Sequence, residues 1–297
     1  MNKYLIFRTD RIGDFLLSAI LVKSIKRNDP NSKIFMVCSL KNFDYVKSFE
    51  FIDEIFLIKK GIFNKLKLLN KLTKNHYKSI IIHDGKKRSS ILSFFLISRL
   101  KISINRNLDF SHFHNILKIL ERLNFNFSDI DLNLFESRSF FNKKKFNYDY
   151  SVFHFDEKWV HEMYIKNYKN IEPTQNELIS LMNDIVTKTK MKLIITTGKS
   201  CPNLLNIASS NNNNNNITFF KNLNILELEE IILNSKLLIS CHGSVSHMAS
   251  GKSIKQIDIV DQNIKNPYDR WTEHFRNYFP LYRCKFNDLS KKIINLL

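Results

Sequence analysis

The sequence predicts an α/β protein made of two doubly wound, Rossmann-like halves. Short apolar runs alternate with amphipathic stretches along most of the 297 residues, and strands joined by helical crossovers form parallel sheets with helices on both faces. A polar and charged stretch at 142–149 interrupts the alternation, which then restarts. Ligands of such sheets bind beyond the carboxyl ends of the strands, so we expect the functional site in a cleft between the halves.

The first half, residues 1–145, opens with a buried strand and an amphipathic helix that stops before Pro30, because proline cannot continue a helix. The same alternation then repeats to the end of the half. Strands are predicted at Tyr4–Phe7, Lys33–Cys38, Glu54–Ile58, Ser79–His83 and Lys101–Ile104, and helices at Phe15–Arg27, Phe43–Phe49, Asn64–Lys74 and Ser89–Arg99.

The second half, residues 146–280, repeats the pattern, with the asparagine run 211–216 as a surface loop. An amphipathic helix at Lys285–Leu297 closes the chain, and we expect this last segment, 281–297, to pack back on the first half. Strands are predicted at Tyr150–Phe153, Lys192–Thr196, Ile217–Phe220, Lys236–Ser240 and Lys255–Ile259, and helices at Gln175–Thr187, Ile225–Leu233 and Ser244–Ser250.

The composition is strongly basic. Lys and Arg number 46 against 28 Asp and Glu, a formal net charge of +18. Such a surface attracts polyanions, whether nucleic acid, anionic lipid or phosphorylated small molecules and glycolipids. Part of the excess reflects a general enrichment in Lys, Asn, Ile and Phe, which is typical of an A+T-rich genome.

The sequence also bears on the compartment. Four widely spaced cysteines favour a reducing cytosol. The charged N-terminus does not look like a signal peptide, and the apolar stretch Ile91–Ile97 is far shorter than the ~20 residues of a spanning helix. We expect a cytoplasmic protein that contacts the inner face of a membrane through its basic surface.

Several common motifs fail on spacing. Gly198-Lys199-Ser200 and Gly251-Lys252-Ser253 resemble the end of a P-loop but lack its first glycine, and His161-Glu162 lacks a second histidine at position 165. The sequence contains no GxGxxG, no GxSxG and no histidine–carboxylate cluster. We therefore expect no metal, no cofactor and no nucleic-acid partner.

The first motif lies between the first predicted strand and the first predicted helix. It reads Arg8-Thr9-Asp10-Arg11-Ile12-Gly13-Asp14. Gly13 permits a tight turn and the close approach of a ligand. Asp14 has two interpretations: a helix N-cap, or a general base displayed in the cleft. Arg8 and Arg11 would then hold an anionic acceptor.

This run, followed by an apolar helix and a Lys-x-x-x-Pro ending at Pro30, resembles the opening of glycosyltransferase family 9, the lipopolysaccharide heptosyltransferases. The resemblance implies a GT-B fold, a cytoplasmic bacterial enzyme of cell-envelope biosynthesis, and a nucleotide-diphospho-sugar donor with ADP-heptose as the default. It implies that Asp14 is the catalytic base.

A second motif, His83-Asp84-Gly85-Lys86-Lys87-Arg88, follows the strand Ser79–His83. Its plain interpretation is a solvated basic turn. The family has a glycine-containing turn with a basic residue near the acceptor at this point. The resemblance therefore implies that Lys86, Lys87 and Arg88 bind acceptor phosphates or carboxylates.

The third motif follows the strand Lys236–Ser240. The family carries Asp-Ser/Thr-Gly-x-x-His-x-Ala here, and this chain matches it at His247 and Ala249 but has His242 and Gly243-Ser244 in place of Asp and Ser-Gly. Backbone N–H groups at this helix start would hold a diphosphate. Ordinary capping by Ser244 is the alternative. The predicted donor-binding residues are Lys158, Gly198, His242, Gly243, Ser244, Ser246 and His247, where Lys158 precedes Trp159 much as in the family and Gly198 follows a strand.

The sequence thus predicts a metal-independent, inverting glycosyltransferase that moves heptose or a similar sugar to an anionic saccharide or glycolipid of the cell envelope. Two alternatives stay open. One is a nucleotide-sugar epimerase, which turns over the donor without an acceptor. The other is a non-catalytic basic protein that binds anionic glycans or other polyanions.

Overall fold

A computed structural model describes residues 1–104, 110–135, 146–160, 165, 171–262 and 268–297. These residues form two compact units: Met1–Glu136 with Asp269–His274, and Ser137–Tyr268 with Phe275–Leu297. Each unit has its own parallel sheet. Within the described ranges, no helix is long and apolar enough to cross a bilayer.

The first unit holds a five-stranded sheet in the order β3-β2-β1-β4-β5, with every neighbouring pair parallel. β1 lies at its centre and is buried from Tyr4 to Phe7, as expected of a strand covered on both faces. The elements are β1 Lys3–Phe7, α1 Ile12–Asn28, β2 Lys33–Cys38, α2 Phe43–Val46, β3 Glu54–Leu57, α3 Ile62–Leu72, β4 Tyr77–Ile82, α4 Lys87–Phe94, β5 Ser98–Ser103, α5 His112–Arg122 and a 3-10 turn at Asp129–Leu132.

α3 and α4 share one apolar core on the sheet. Leu68 and Leu72 of α3 and Leu92 and Leu96 from α4 and its end are buried in the same cluster as the strand residue Ile80. α1 packs with α5. Because α1, α3 and α4 each follow a strand, their N-termini lie at the carboxyl edge of the sheet.

The second unit has a six-stranded parallel sheet in the order β11-β10-β9-β6-β7-β8. Reciprocal caps begin two of its helices, with Thr174 bonded to Glu177 and Asn224 bonded to Glu227. The elements are β6 Tyr150–His154, α6 Gln175–Thr189, β7 Lys192–Thr196, α7 Asn203–Ser210, β8 Ile217–Phe220, α8 Ile225–Leu233, β9 Leu237–Cys241, α9 Ser244–Ser250, β10 Lys255–Val260, β11 Tyr278–Tyr282 and α11 Phe286–Leu296. The short helix α10, Asp269–Thr272, belongs to the first unit.

The predicted fold class, two doubly wound α/β halves, is confirmed. The predicted boundary after residue 145 falls at the end of 136–145, which lies outside the described residues. The predicted helix Ser89–Arg99 is too long, because α4 ends at Phe94 and β5 begins at Ser98. The helices α5 and α7 and the strand β11 were not predicted.

The expectation that the last segment packs back on the first half is wrong. Phe286, Leu289 and Ile293 form the apolar face of α11, and they are buried in the core of the second unit with Trp159. α11 also contacts α6. The residues that join the first unit are instead Asp269–His274, where Trp271 stacks on His112 of α5.

Candidate functional site

The first cluster of polar side chains lies where β1 and β4 end, and its centre is the buried Arg8. Arg8 Nε donates to the Asp14 carbonyl at 2.7 Å, and Nη1 donates to the His83 carbonyl at 2.6 Å. β1 and β4 are parallel neighbours, so the two basic motifs of the first half meet here. Arg8 therefore positions both turns, and its predicted role in holding an acceptor directly remains a prediction.

Asp14 occupies the third position of α1, and Arg11 is the N-cap. The expectation that Asp14 itself is the N-cap needs this correction. Its Oδ2 accepts the Arg11 backbone N–H at 3.1 Å, while Oδ1 lies 4.0 Å from Arg8 Nη2. Nη2 is buried and has no hydrogen-bond partner among the described residues. The partly exposed carboxylate thus caps the helix with one oxygen and keeps the other beside a cation. Gly13 precedes it in the same turn, partly exposed.

Asp84 links the turn that follows β4 to the turn that follows β1. This buried carboxylate accepts the Thr9 hydroxyl at 2.5 Å and the Ser89 hydroxyl at 2.7 Å. Thr9 Oγ1 in turn accepts from Arg88 at 2.7 Å and from Lys86 at 3.2 Å. Lys86 also pairs with Asp10. Lys86 and Arg88 are therefore held at the carboxyl edge of the sheet, and Lys87 is exposed at the start of α4. The predicted role of the three side chains in binding the acceptor stays a prediction.

A cleft of about 920 Å³ opens beside this cluster in the first unit. None of the described residues that line it is acidic. The lining residues are Thr9, Ser39, Leu40, Lys41, Ile58, Lys59, Lys60, Gly61, Lys65, Lys86 and Arg88. We call it the basic cleft. The sequence analysis missed Lys41, Lys59, Lys60 and Lys65, although it predicted the end of β2 to the residue and that of β3 one residue too late. The residues that follow these strands lie at the carboxyl edge of the sheet, where ligands bind.

Three histidines of the first unit lie under this edge. His83 is buried with Nδ1 2.8 Å from Ser18 Oγ, and burial together with Arg8 holds its pKa well below the usual value. Burial and Arg8 also lower the pKa of His112 to about 4, and burial and His112 lower that of His274 to about 3. These imidazoles are neutral at pH 7, so they add no positive charge beside Asp14 and Arg8.

The second cluster, which we call the β9 turn, joins the end of β9 to the loop after β6. Lys158 Nζ donates to the His242 carbonyl at 3.0 Å and pairs with Asp156 at 3.2 Å. Burial alone would lower the pKa of Lys158, but the Asp156 carboxylate outweighs it and raises the pKa. Burial likewise opposes ionisation of Asp156, yet His154 and Lys158 hold its pKa below the usual range. Lys158 is therefore a fixed cation at this turn.

Gly243 leaves the room that Lys158 occupies. Its φ of 179° is ordinary extended backbone, so backbone strain does not require glycine. A Cβ at this position would, however, lie 2.4 Å from Lys158 Nζ. Gly198 has nothing within 4 Å of an added Cβ, so packing does not explain that glycine and its predicted role near a nucleotide remains a prediction.

His242 is linked to a buried carboxylate on the neighbouring strand. Its Nδ1 lies 2.6 Å from Asp258 Oδ2, and Asp258 Oδ1 accepts the Ser246 hydroxyl at 2.8 Å. Ser246 is fully buried and its Oγ accepts the Gly243 N–H. The hydroxyl proton of Ser246 thus already serves Asp258, and the predicted part of Ser246 in binding the donor stays a prediction. Ser244 is the first helical residue rather than the cap, which is Gly243.

Two further residues complete the β9 turn. Arg283, which the sequence analysis missed, donates to the Lys158 carbonyl at 2.9 Å and to Asp261 at 3.0 Å. No motif flags an arginine that arrives from the last strand. His247 is buried with its ring 5.6 Å from that of His242. Trp159 is a core residue, stacked on Phe155 at 5.5 Å.

Two units, each built on a parallel Rossmann-like sheet, are the components of the GT-B fold. No family model matches the chain. Lipopolysaccharide heptosyltransferase 1 of Campylobacter coli is 26% identical over 99% of this chain and 91% of that protein. The E. coli heptosyltransferase WaaC with ADP superposes with a TM-score of 0.73 at 10% identity, covering 99% of this chain and all of the other.

A family 9 glycosyltransferase from Veillonella parvula superposes with a TM-score of 0.66 at 12% identity, covering 98% of this chain and 89% of the other. At these identities the solved structures establish the fold. Together with the Campylobacter relative, they confirm the resemblance seen in the sequence. The chain is therefore similar, over nearly its whole length, to heptosyltransferases of glycosyltransferase family 9.

Proposed function

We propose that the protein transfers heptose or a similar sugar from a nucleotide-diphospho-sugar to an anionic saccharide or glycolipid of the bacterial cell envelope. The basic cleft carries this proposal. Six cationic side chains line it with no acidic residue among them, which suits an acceptor with several phosphates or carboxylates. Lys86 and Arg88 are oriented by Thr9 for this role, and the exposed Arg11 and Lys87 extend the same charge.

We further propose that Asp14 is the general base. Oδ2 is engaged by the Arg11 N–H, so Oδ1 would take the proton from the acceptor hydroxyl. The hydroxyl oxygen then attacks the anomeric carbon from the face opposite the diphosphate. The bond from that carbon to the phosphate oxygen breaks, the nucleoside diphosphate leaves with the electron pair, and the anomeric configuration inverts.

In the second unit, we propose that the β9 turn receives the diphosphate of the donor. The fixed ammonium of Lys158 and the partly exposed turn at His242, Gly243 and Ser244 would meet the charge that develops on the leaving group. The reaction would then proceed without a metal ion. ADP-heptose is the first donor to test, because the Campylobacter relative is named a heptosyltransferase and one superposed structure contains ADP.

The test measures nucleoside diphosphate release from ADP-heptose with and without a phosphorylated envelope saccharide, in the presence of EDTA. Acceptor-dependent release of ADP with a β-to-α or α-to-β change at the anomeric carbon, read by NMR, is the expected result. Donor turnover without any acceptor would indicate an epimerase instead. Absence of turnover, and of thermal stabilisation by any of ADP, UDP, GDP or CMP, would indicate a non-catalytic binding protein.

A further inference from the structure

The outward surface of α3 and α4 exposes a concentration of large apolar side chains. We call it the α3–α4 face, and it comprises Ile62, Phe63, Leu66, Ile91, Phe94 and Phe95. Each of the six is at least half exposed, and Phe63 and Phe94 are 77% and 78% exposed. Scattered apolar side chains are ordinary on a soluble surface, but a concentrated exposed patch marks an interaction surface.

The two helices present this face together. Both bury their inner leucines, Leu68 and Leu72 on α3 and Leu92 on α4, in the same core on the same side of the sheet. Their opposite surfaces therefore point away from the sheet on that side. Ile62, Phe63 and Leu66 occupy the start of α3, while Ile91 and Phe94 follow the i, i+3 spacing of one helical stripe along α4.

The segment that carries the face is strongly cationic. Residues 59–101 include twelve lysines and arginines and one acid, Asp84, which is buried beneath the β4 turn. Lys67 and Lys71 are exposed on α3, and Lys87 is exposed on α4. Apolar side chains surrounded by lysines, without acids, are what a helix needs to lie in the interface of an anionic bilayer.

The face is also continuous with the basic cleft. Lys59, Lys60 and Lys65 line the cleft and flank Ile62 and Phe63 in the sequence. A lipid surface against the start of α3 would therefore stand at the mouth of the cleft. If the acceptor is a glycolipid, which rests on the proposed function, the same contact would bring its headgroup within reach.

We propose that the α3–α4 face docks this protein on an anionic lipid bilayer. Ile62, Phe63 and Leu66 of α3 enter the boundary between headgroups and acyl chains together with the exposed side chains of α4. The surrounding lysines contact the lipid phosphates. The partner is the lipid surface itself, so docking requires neither donor nor acceptor.

The test is co-sedimentation of the full chain with vesicles of phosphatidylcholine alone or with phosphatidylglycerol, at low and high salt. We expect strong, salt-sensitive binding to the anionic vesicles. The double variant Phe63→Ser/Phe94→Ser should lower the partition coefficient at least tenfold, and so should Lys67→Glu/Lys71→Glu. The matched control, Ile207→Ser/Leu226→Ser, changes exposed apolar residues of the second unit and should bind as the unchanged chain does.

Equal binding to neutral and anionic vesicles, or unchanged binding of both double variants, would overturn the proposal. So would a concentration-dependent dimer that the Phe63→Ser/Phe94→Ser variant abolishes, because the face would then be an interface between copies. Thermal stabilisation by nucleoside diphosphates is measured on the same variants. Docking on the bilayer can fail while nucleotide binding persists, and nucleotide binding can fail while docking persists. The docking proposal and the proposed transferase function are therefore judged separately.

Discussion

Gly243→Ala tests how the β9 turn works. The added methyl would lie 2.4 Å from Lys158 Nζ, well inside contact distance, so the ammonium must move. The backbone at residue 243 is extended, with φ at 179°, and alanine adopts it without strain. The substitution therefore displaces a cation rather than a main-chain segment.

The size of the effect follows from the contacts that Lys158 loses. Its hydrogen bond to the His242 carbonyl, at 3.0 Å, and its ion pair with Asp156, at 3.2 Å, fix the ammonium. A hydrogen bond to a charged group contributes about 1.5–3 kcal/mol. If the diphosphate relies on this ammonium, nucleotide affinity should fall roughly 10- to 100-fold. The free energy of unfolding should fall as well, by about 1.5–3 kcal/mol, because the same contacts hold the ammonium in the folded turn.

The assay is isothermal titration of ADP, with unfolding followed by circular dichroism. Gly198→Ala is the matched control for folding, because an added Cβ there meets nothing within 4 Å. Lys158→Met should lose the same affinity as Gly243→Ala, and the double variant should lose no more than either alone, since both remove one interaction. Additive losses, or full affinity in Gly243→Ala, would refute the link between the glycine and the lysine.

Three further predictions concern the first unit. Asp14→Asn keeps an oxygen for the Arg11 N–H, so the melting temperature should not change. Steady-state kinetics should show turnover lowered by ~10²–10⁴-fold, because the base is lost. Full activity would show that Asp14 is not the base. Lys60→Ala should raise the KM for an anionic acceptor about tenfold, with a smaller change in kcat, whereas Lys74→Ala, outside the cleft lining, should leave both unchanged. Burial lowers the pKa of His112 to about 4 and of His274 to about 3. As the pH drops, these histidines therefore take up protons in the unfolded chain before they do so in the folded protein. Chemical denaturation should show the free energy of unfolding falling below pH 6.5, by up to about 2 kcal/mol per histidine at pH 5. That loss should be smaller in His274→Phe, and an unchanged slope would contradict the assignment.

Sequence patterns located the buried strands best. The bounds of β2, β7 and β8 agree with the prediction to the residue. β2 and β7 are almost wholly buried, and a strand covered on both faces is a continuous apolar run ended by polar residues. α4 was misjudged for the same reason. Ile91–Ile97 is apolar except for Ser93, and periodicity cannot tell where such a run stops being helical. In the structure the exposed Phe94 and Phe95 end the helix.

The first candidate site was partly visible in the sequence because its residues lie in the turns after two strands or in the first turn of the helix that follows each strand. Arg8, Asp14, Lys86 and Arg88 lie in two short motifs, and the parallel pairing of β1 with β4 brings those motifs together. The sequence could not show that Arg8 and Arg11 have different roles. Arg8 is as basic as Arg11 by residue type, yet burial commits Arg8 to two backbone carbonyls, while Arg11 stays exposed.

The β9 turn shows why a missing motif residue is weak evidence about a site. The family has an aspartate where this chain has His242, which on the sequence alone deprives the turn of a carboxylate. Parallel pairing of β10 with β9, with Asp258 opposite Ser240, brings a carboxylate from the next strand to 2.6 Å from His242 Nδ1. Residue 258 is sixteen positions away in sequence, so local spacing could not reveal it. The turn therefore has a carboxylate, that of Asp258, which is buried and orients His242 and Ser246. Lys158 remains as the group of this turn that would bind a diphosphate.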